Sequence, residues 1–207
     1  MAELTRVHPL EHLGAELAHR SNPAVNITPK PFVAMVDVRL PATAADAELL
    51  GIALPTTSNT WVATSLGRAI WLGPGEWLLT STVHDPDDFA DLVRVSVQPL
   101  GGAVVDVSAQ RIGLRLNGSR IRDLLAKGCS IDLHPRSFTR GSAVQSNIAQ
   151  AGVILLALSD AGDEFLVLVR SSFAGYLADW LLDAAQEFSV AQEFSAAELT
   201  DPISNQE

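Results

Sequence analysis

One pattern in this 207-residue chain limits its fold more than any other: the same order of apolar alternation runs through it twice. From Pro31, "FVAMVDVRL" alternates, with Val36, Val38 and Leu40 on one face and Asp37 and Arg39 on the other, as a half-buried strand does. "ATAADAELLGI" predicts a short helix. "TWVAT", "AIWLG" and "EWLLTST" predict three strands, the last two joined by the turn "GPG". "DPDDFADLVRVSV" predicts a helix opened by Asp-Pro, and "AVVDV" a buried-type strand. The second half repeats the order. "RIGLRLNG" reads as a strand, and "SRIRDLLAKG" as a helix with a serine cap and a glycine stop. "SAVQSNIAQ", "GVILLALS" and "EFLVLVR" read as three strands, and "SSFAGYLADWLLDAAQEF" as an amphipathic helix with Phe173, Leu177, Trp180 and Leu181 along its stripe. The fold class is therefore α+β, with two similar ferredoxin-like halves, each strand, helix, three strands, helix, covering 31–107 and 108–186.

The flanks differ from this core. Residues 1–30 hold an amphipathic helix from about Pro9 to His19 and then "SNPAVNITPKP", whose three prolines predict an extended arm outside any regular ladder. Such an arm suits a partner's surface. The tail, 187–207, repeats "QEFS" at Gln186–Ser189 and Gln192–Ser195 and reads as a helical extension.

Composition excludes several function classes. Asp and Glu number 24 against 14 Lys and Arg, a formal net charge of -10, so the chain lacks the positive field that nucleic acid or an anionic membrane surface requires. One cysteine permits neither an internal disulfide nor a thiolate metal cluster, and fits a reducing compartment. Acidic residues near the start, and no run of about 20 apolar residues, point to a cytoplasmic protein rather than a secreted or spanning one. The mean hydropathy of +0.20 is high for so charged a chain and suggests surface held for a partner.

Four groups of residues could carry chemistry. Cys129 and His134 share "KGCSIDLHPRS", but a nucleophilic thiol needs a base and an orienting group from distant parts of the chain, so a buried small thiol and a turn histidine are the better reading. His8 and His12 have the i, i+4 spacing of a metal pair, with His19 nearby, but no acidic partner motif accompanies them; His84 stands apart before a helix. Trp71 and Trp77, with Glu76, flank a tight turn and could stack a flat ligand such as a pterin; core or interface anchors explain them better. Asn117-Gly118 leads into a helix that could attract an anion, but the glycine patterns of nucleotide sites are missing. The residues alone give no catalytic, cofactor-binding or metal-binding set.

Three stretches, "GPGEWLL" (73–79), "VVDVSAQRIGLRLNGSRIRDLLAKGCSIDLHPRSF" (104–138) and "FLVLVRSSFAGYLADWLLDAA" (165–185), resemble the gamma subunit of heterotetrameric sarcosine oxidase. That family is similar in fold to the folate-binding domain of the glycine-cleavage aminomethyltransferase. The resemblance implies a structural subunit of a bacterial complex that oxidises sarcosine to glycine with oxygen, giving hydrogen peroxide and 5,10-methylenetetrahydrofolate or formaldehyde. It also implies alpha, beta and delta partner subunits that hold FAD, FMN, NAD and zinc, with none of these in this chain. Gly75 replaces the acidic residue of the related "GPDEW" turn, and Ala109-Gln110 replace a His-Arg type pair. "KGC" also resembles the opening of the motif in folate-binding iron-sulfur maturation proteins, without the Tyr, Gly, Gln and Glu that complete it. For the complex, the expected docking elements are the arm Ser21–Pro31, an uncovered apolar sheet face, and Trp61 or Trp71 as anchors.

Overall fold

The computed structural model describes residues 7–44 and 46–188. The chain starts with a 3-10 turn at Glu11–Leu13 and α1 (Gly14–Arg20), followed by β1 (Asn26–Pro29) and β2 (Ala34–Arg39). A small hairpin of β3 (Glu48–Leu49) and β4 (Ile52–Ala53) precedes β5 (Trp61–Ala63), β6 (Gly67–Gly73) and β7 (Glu76–Ser81). Then come α2 (Pro86–Val97) and β8 (Ala103–Asp106). The second half holds β9 (Arg111–Asn117), α3 (Ile121–Ala126), β10 (Ala143–Ile148), β11 (Ala151–Ala157), β12 (Glu164–Arg170) and α4 (Ala174–Ala184).

The two expected units are two five-stranded antiparallel sheets in a mixed α+β fold. The first runs β5-β6-β7-β2-β8, and the second runs β10-β11-β12-β9-β1. Strand for strand these are one topology, with β9 in the place of β2 and β1 in the place of β8.

That last equivalence corrects the reading of the arm. Asn26 to Pro29 pair in register with Asn117 to Leu114, so the arm does form a ladder, as the edge strand of the second sheet. Pro29 is tolerated because β1 is an edge strand, with one side that needs no donor. Sheet membership thus crosses residue 30. Its counterpart at the edge of the first sheet, β8, is largely exposed rather than buried.

The helix expected over 42–52 is also absent. Ala42–Ala44 make one 3-10 turn, and β3 and β4 form a hairpin through Leu50 and Gly51, with φ of 54° and 72°. A two-residue turn with both φ positive matches strand twist, and it drives Leu49 and Ile52 together into the core. Here tertiary burial overrides the helix propensity of an alanine-rich stretch. Only the second half therefore follows the full expected order. At α3, Ser119 gives no side-chain cap, and the helix opens after Arg120. On α4, Leu177 and Leu181 are buried while Phe173 is 43% exposed, a narrower stripe than expected.

Packing makes four layers. Val36, Val38 and Leu79 of the first sheet meet Phe89, Val93 and Val97 of α2 and the β3–β4 hairpin. Leu114, Leu155 and Val167 of the second sheet meet Leu17, Leu124, Leu177 and Leu181 of α1, α3 and α4. Between the sheets, Met35, Ile70 and Leu78 pack on Ile154, Leu156, Leu166 and Leu168. Burying each such side chain contributes roughly 1.5–3 kcal/mol. The apolar sheet faces expected to dock on a partner therefore cover one another. Trp61 is part of this middle layer, 9% exposed, and its indole N–H donates to the Ala157 carbonyl at 3.1 Å. Its backbone N–H donates to Gly141 O and that of Ala143 to Asn59 O, so β5 is sewn to the start of β10. Residues 189–207, with the second "QEFS", lie outside the described residues.

Candidate functional site

The segment around Cys129 is a clamp on α4. Lys127 Nζ donates to the Ala184 carbonyl at 2.9 Å and pairs with Glu187 at 3.0 Å, placing a cation at the C-terminal end of α4, where the helix dipole favours one. Gly128 lies flat under the Trp180 indole: a Cβ there would come within 2.6 Å of the ring. Cys129 is 7% exposed within the second half's core, and its Sγ is 4.0 Å from Ser146 Oγ. Lysine, glycine and cysteine thus each serve packing.

His134 is exposed, and its ring faces its own turn rather than the thiol. Nδ1 accepts the Arg136 N–H at 3.2 Å, while the His134 N–H donates to Asp132 Oδ1 at 2.9 Å. The Ser137 hydroxyl donates to Asp132 Oδ2 at 2.6 Å, and together with the His134 amide it holds the Asp132 carboxyl below its ordinary value. This closed turn delivers Leu133 and Phe138 to the core, where Phe138 stacks on Phe165 at 6.3 Å.

The other candidates resolve in the same way. His8 accepts the Leu10 N–H and packs on Phe32, while His12 and His19 are exposed on the helical turns that follow. His84 bonds Ser81 Oγ at 2.9 Å and stacks on Phe89. Trp71 and Trp77 are cross-strand neighbours on the helix side of the first sheet, and Trp77 Nε1 donates to Pro55 O at 2.8 Å. Glu76 pairs with Arg39 at 2.8 Å. Gly75 takes φ +71° in the turn, where a Cβ would meet Leu40 O at 2.5 Å. After Asn117, the amides of Gly118, Ser119 and Arg120 donate to the carbonyls of Asp163, Pro23 and Ala24, which leaves no cradle for an anion. In the "DVS" element, Ser108 Oγ accepts the Met35 N–H at 2.8 Å and so extends the β2–β8 pairing.

The sequence reading missed a different cluster. Arg111 and Arg170 face each other directly across β9 and β12, on the side of the sheet that Leu166 and Leu168 share. Like charges in such positions repel. Burial, with Arg170 close by, lowers the pKa of Arg111, and no carboxylate lies within ion-pair distance of either guanidinium among the described residues. They line an open hollow of about 440 Å³ with Gln145, Asn147 and Phe173. Phe173 and Tyr176 stand beside it, 43% and 41% exposed and in edge contact. Opposite, burial and nearby Glu76 raise the Asp37 carboxyl. Strand alternation could have placed both arginines on one face, but their juxtaposition depends on a register that a single strand's sequence does not carry.

No described helix is long and apolar enough to cross a membrane. Residues 36–187 match the model of the sarcosine oxidase, gamma subunit family. Sarcosine oxidase subunit gamma from Corynebacterium sp. (strain P-1) is 34% identical over 193 residues, covering 89% of this chain and 92% of the relative. The subunit of that name from Arthrobacter sp. gives the same identity and coverage. Among solved structures, the heterotetrameric sarcosine oxidase from Corynebacterium sp. U-96 in complex with pyrrole 2-carboxylate aligns with TM-score 0.79 and 30% identity, over 89% of this chain and 96% of that one. The glycine cleavage system aminomethyltransferase T from Bartonella henselae aligns at TM-score 0.58 and 13% identity, over 84% of this chain and 49% of that one, and so shares the fold. With a family model spanning most of its length, and relatives of matching size, the chain belongs to the sarcosine oxidase gamma subunit family.

Proposed function

We propose that this chain is a non-catalytic scaffold subunit of a cytoplasmic heterotetrameric sarcosine oxidase. The complex oxidatively demethylates sarcosine to glycine with oxygen, giving hydrogen peroxide and 5,10-methylenetetrahydrofolate or formaldehyde. Its alpha, beta and delta subunits hold the FAD, FMN, NAD and zinc. The observation that carries this reading is the alignment over nearly the full length of a chain from a solved heterotetrameric oxidase. The "KGC" element supports it, because its lysine, glycine and cysteine are engaged with α4 and the core, while the His134 ring is engaged within its own turn.

The inner edge of β1 and the facing sheet surfaces make contacts within the chain, so the partner face is sought elsewhere. Arg111, Arg170, Phe173 and Tyr176 fit the role, since arginine and aromatic anchors dominate interface energetics and two guanidiniums without an ion pair among the described residues select an acidic counterpart. Co-expression with the three partner subunits, followed by size exclusion, should give one complex. A folded chain that elutes alone and ignores the flavin-bearing subunits overturns the reading. With assembly intact, Arg111→Glu combined with Arg170→Glu should weaken association at least tenfold; unchanged assembly would displace the docking face while leaving the subunit assignment standing.

A further inference from the structure

A second cavity opens between the sheets, and it has the chemistry of a ligand site. Its volume is about 180 Å³, above the ~150 Å³ at which an apolar protein cavity accepts benzene. Met35, Ile70, Leu166 and Leu168 give it an apolar floor from both sheets. The charged lining is Lys30, Arg68, Arg115 and Glu164. In a chain of net charge -10, this slot carries three cations to one carboxylate.

Arg68 is the unusual member. Glu164 is taken by Arg115 at 2.9 Å. Arg68 makes no ion pair and no side-chain hydrogen bond to any described residue; its guanidinium lies over the Trp61 ring at 5.4 Å and lines the cavity. Position 68 pairs with Thr80 on β7, so the arginine is held on the inter-sheet side next to Ile70. A partly desolvated cation beside an apolar floor is costly unless an anion meets it. Burial lowers its pKa, and the nearby Glu164 carboxylate, itself paired with Arg115, offsets this only in part.

We propose that this cavity binds a small monocarboxylate with a ring-sized apolar body, the carboxylate on Arg68 and the body against Met35, Ile70, Leu166 and Leu168. The floor excludes a fully polar anion such as phosphate, and Glu164 opposes a second negative charge. The mouth at Lys30 and Arg115 draws the anion in. The site is separate from the Arg111 and Arg170 hollow, and its existence does not depend on the assembly of the complex.

Benzoate is the probe, with benzyl alcohol as its uncharged counterpart. Titrated into the full-length chain and followed by amide NMR and calorimetry, benzoate should bind saturably and shift the amides of Arg68, Thr80 and Gly113. Arg68→Gln should weaken it at least tenfold, Arg68→Lys by only a few fold, and benzyl alcohol should bind at least tenfold more weakly. Absence of saturable benzoate binding overturns the proposal, as do shifts confined to other residues, equal binding of the alcohol, or undiminished binding in a folded Arg68→Gln chain. If Arg68→Gln does not fold, the shift map and the alcohol comparison on the unaltered chain decide.

Discussion

The two halves share a sheet and differ in what covers it. Between its first two sheet strands, the second half carries α3 and the Cys129 loop, which grip α4 through Lys127, Gly128 and Trp180. At the same point the first half carries a single 3-10 turn and the β3–β4 hairpin, whose Leu49 and Ile52 do the covering. The fifth strand differs as well: β8 follows directly from the first half's own helix, whereas β1 comes from the opposite end of the chain. Sheet order is thus the conserved quantity within this molecule. The covering layer is interchangeable as long as it delivers apolar side chains to the same face.

The largest expected effect breaks this equivalence. Deleting residues 1–30 removes β1, α1 and the buried Leu17, Val25 and Ile27 from the second half and nothing from the first sheet. The second half should lose its cooperative transition, read as loss of amide protection across β9 and β12 with protection kept in β6 and β7. A truncated chain that melts within a few degrees of the full one would mean that β1 is an ornament on the sheet.

Gly128→Ala comes next, aimed at the clamp that only the second half has. The new methyl group collides with Trp180 and with the Ala149 amide nitrogen at 3.0 Å. Overpacking of this kind costs ~1–3 kcal/mol, measured by urea unfolding. The collision lies wholly within the second half, so the amides of the first half should keep their protection.

Trp61→Phe tests the seam between the halves. It removes the indole donor to Ala157 O and should cost about 1 kcal/mol, the usual net worth of one hydrogen bond. If unfolding then separates into two steps, the seam is what makes the halves a single cooperative unit.

The smallest effect concerns the charged end of the inter-sheet layer. Asp37 has a raised folded-state pKa, first from burial and then from Glu76. The folded state therefore holds that proton more tightly than the unfolded one. The corresponding stability is fully present below the ordinary carboxylate pKa and is lost as pH rises through the folded value. Asp37→Asn should consequently be the more stable chain at neutral pH, with the gap in Tm closing as pH falls below about 4. A gap that widens on acidification would mean that the Arg39 ion pair outweighs burial.

Most sheet strands and α2 were legible because local alternation and an Asp-Pro helix start are properties of contiguous residues. The failures occurred where a distant segment decides. β1 looked like an arm because prolines mark breaks, and only the edge of the second sheet makes four such residues a strand. The 42–52 helix failed on the Leu50–Gly51 turn. Trp61 read as an interface anchor because an aromatic residue bound for a neighbouring sheet and one bound for another protein look identical in sequence. At the candidate site, the packing role of Cys129 could be inferred from the lack of partners in sequence. The arginine pair and Arg68 could not, since both depend on strand register.

The pairing of β1 with β9 also sets a schedule for synthesis. Asn26 leaves the ribosome about ninety residues before Asn117, and at roughly 5–20 residues per second the strand waits several seconds for its neighbour. During that interval it is an open edge, able to pair with the same strand of another nascent chain. Its composition suits the wait: the strand is only Asn26–Pro29, it ends in a residue that cannot donate, and Lys30 follows, so brevity, proline and charge each oppose pairing with a stranger.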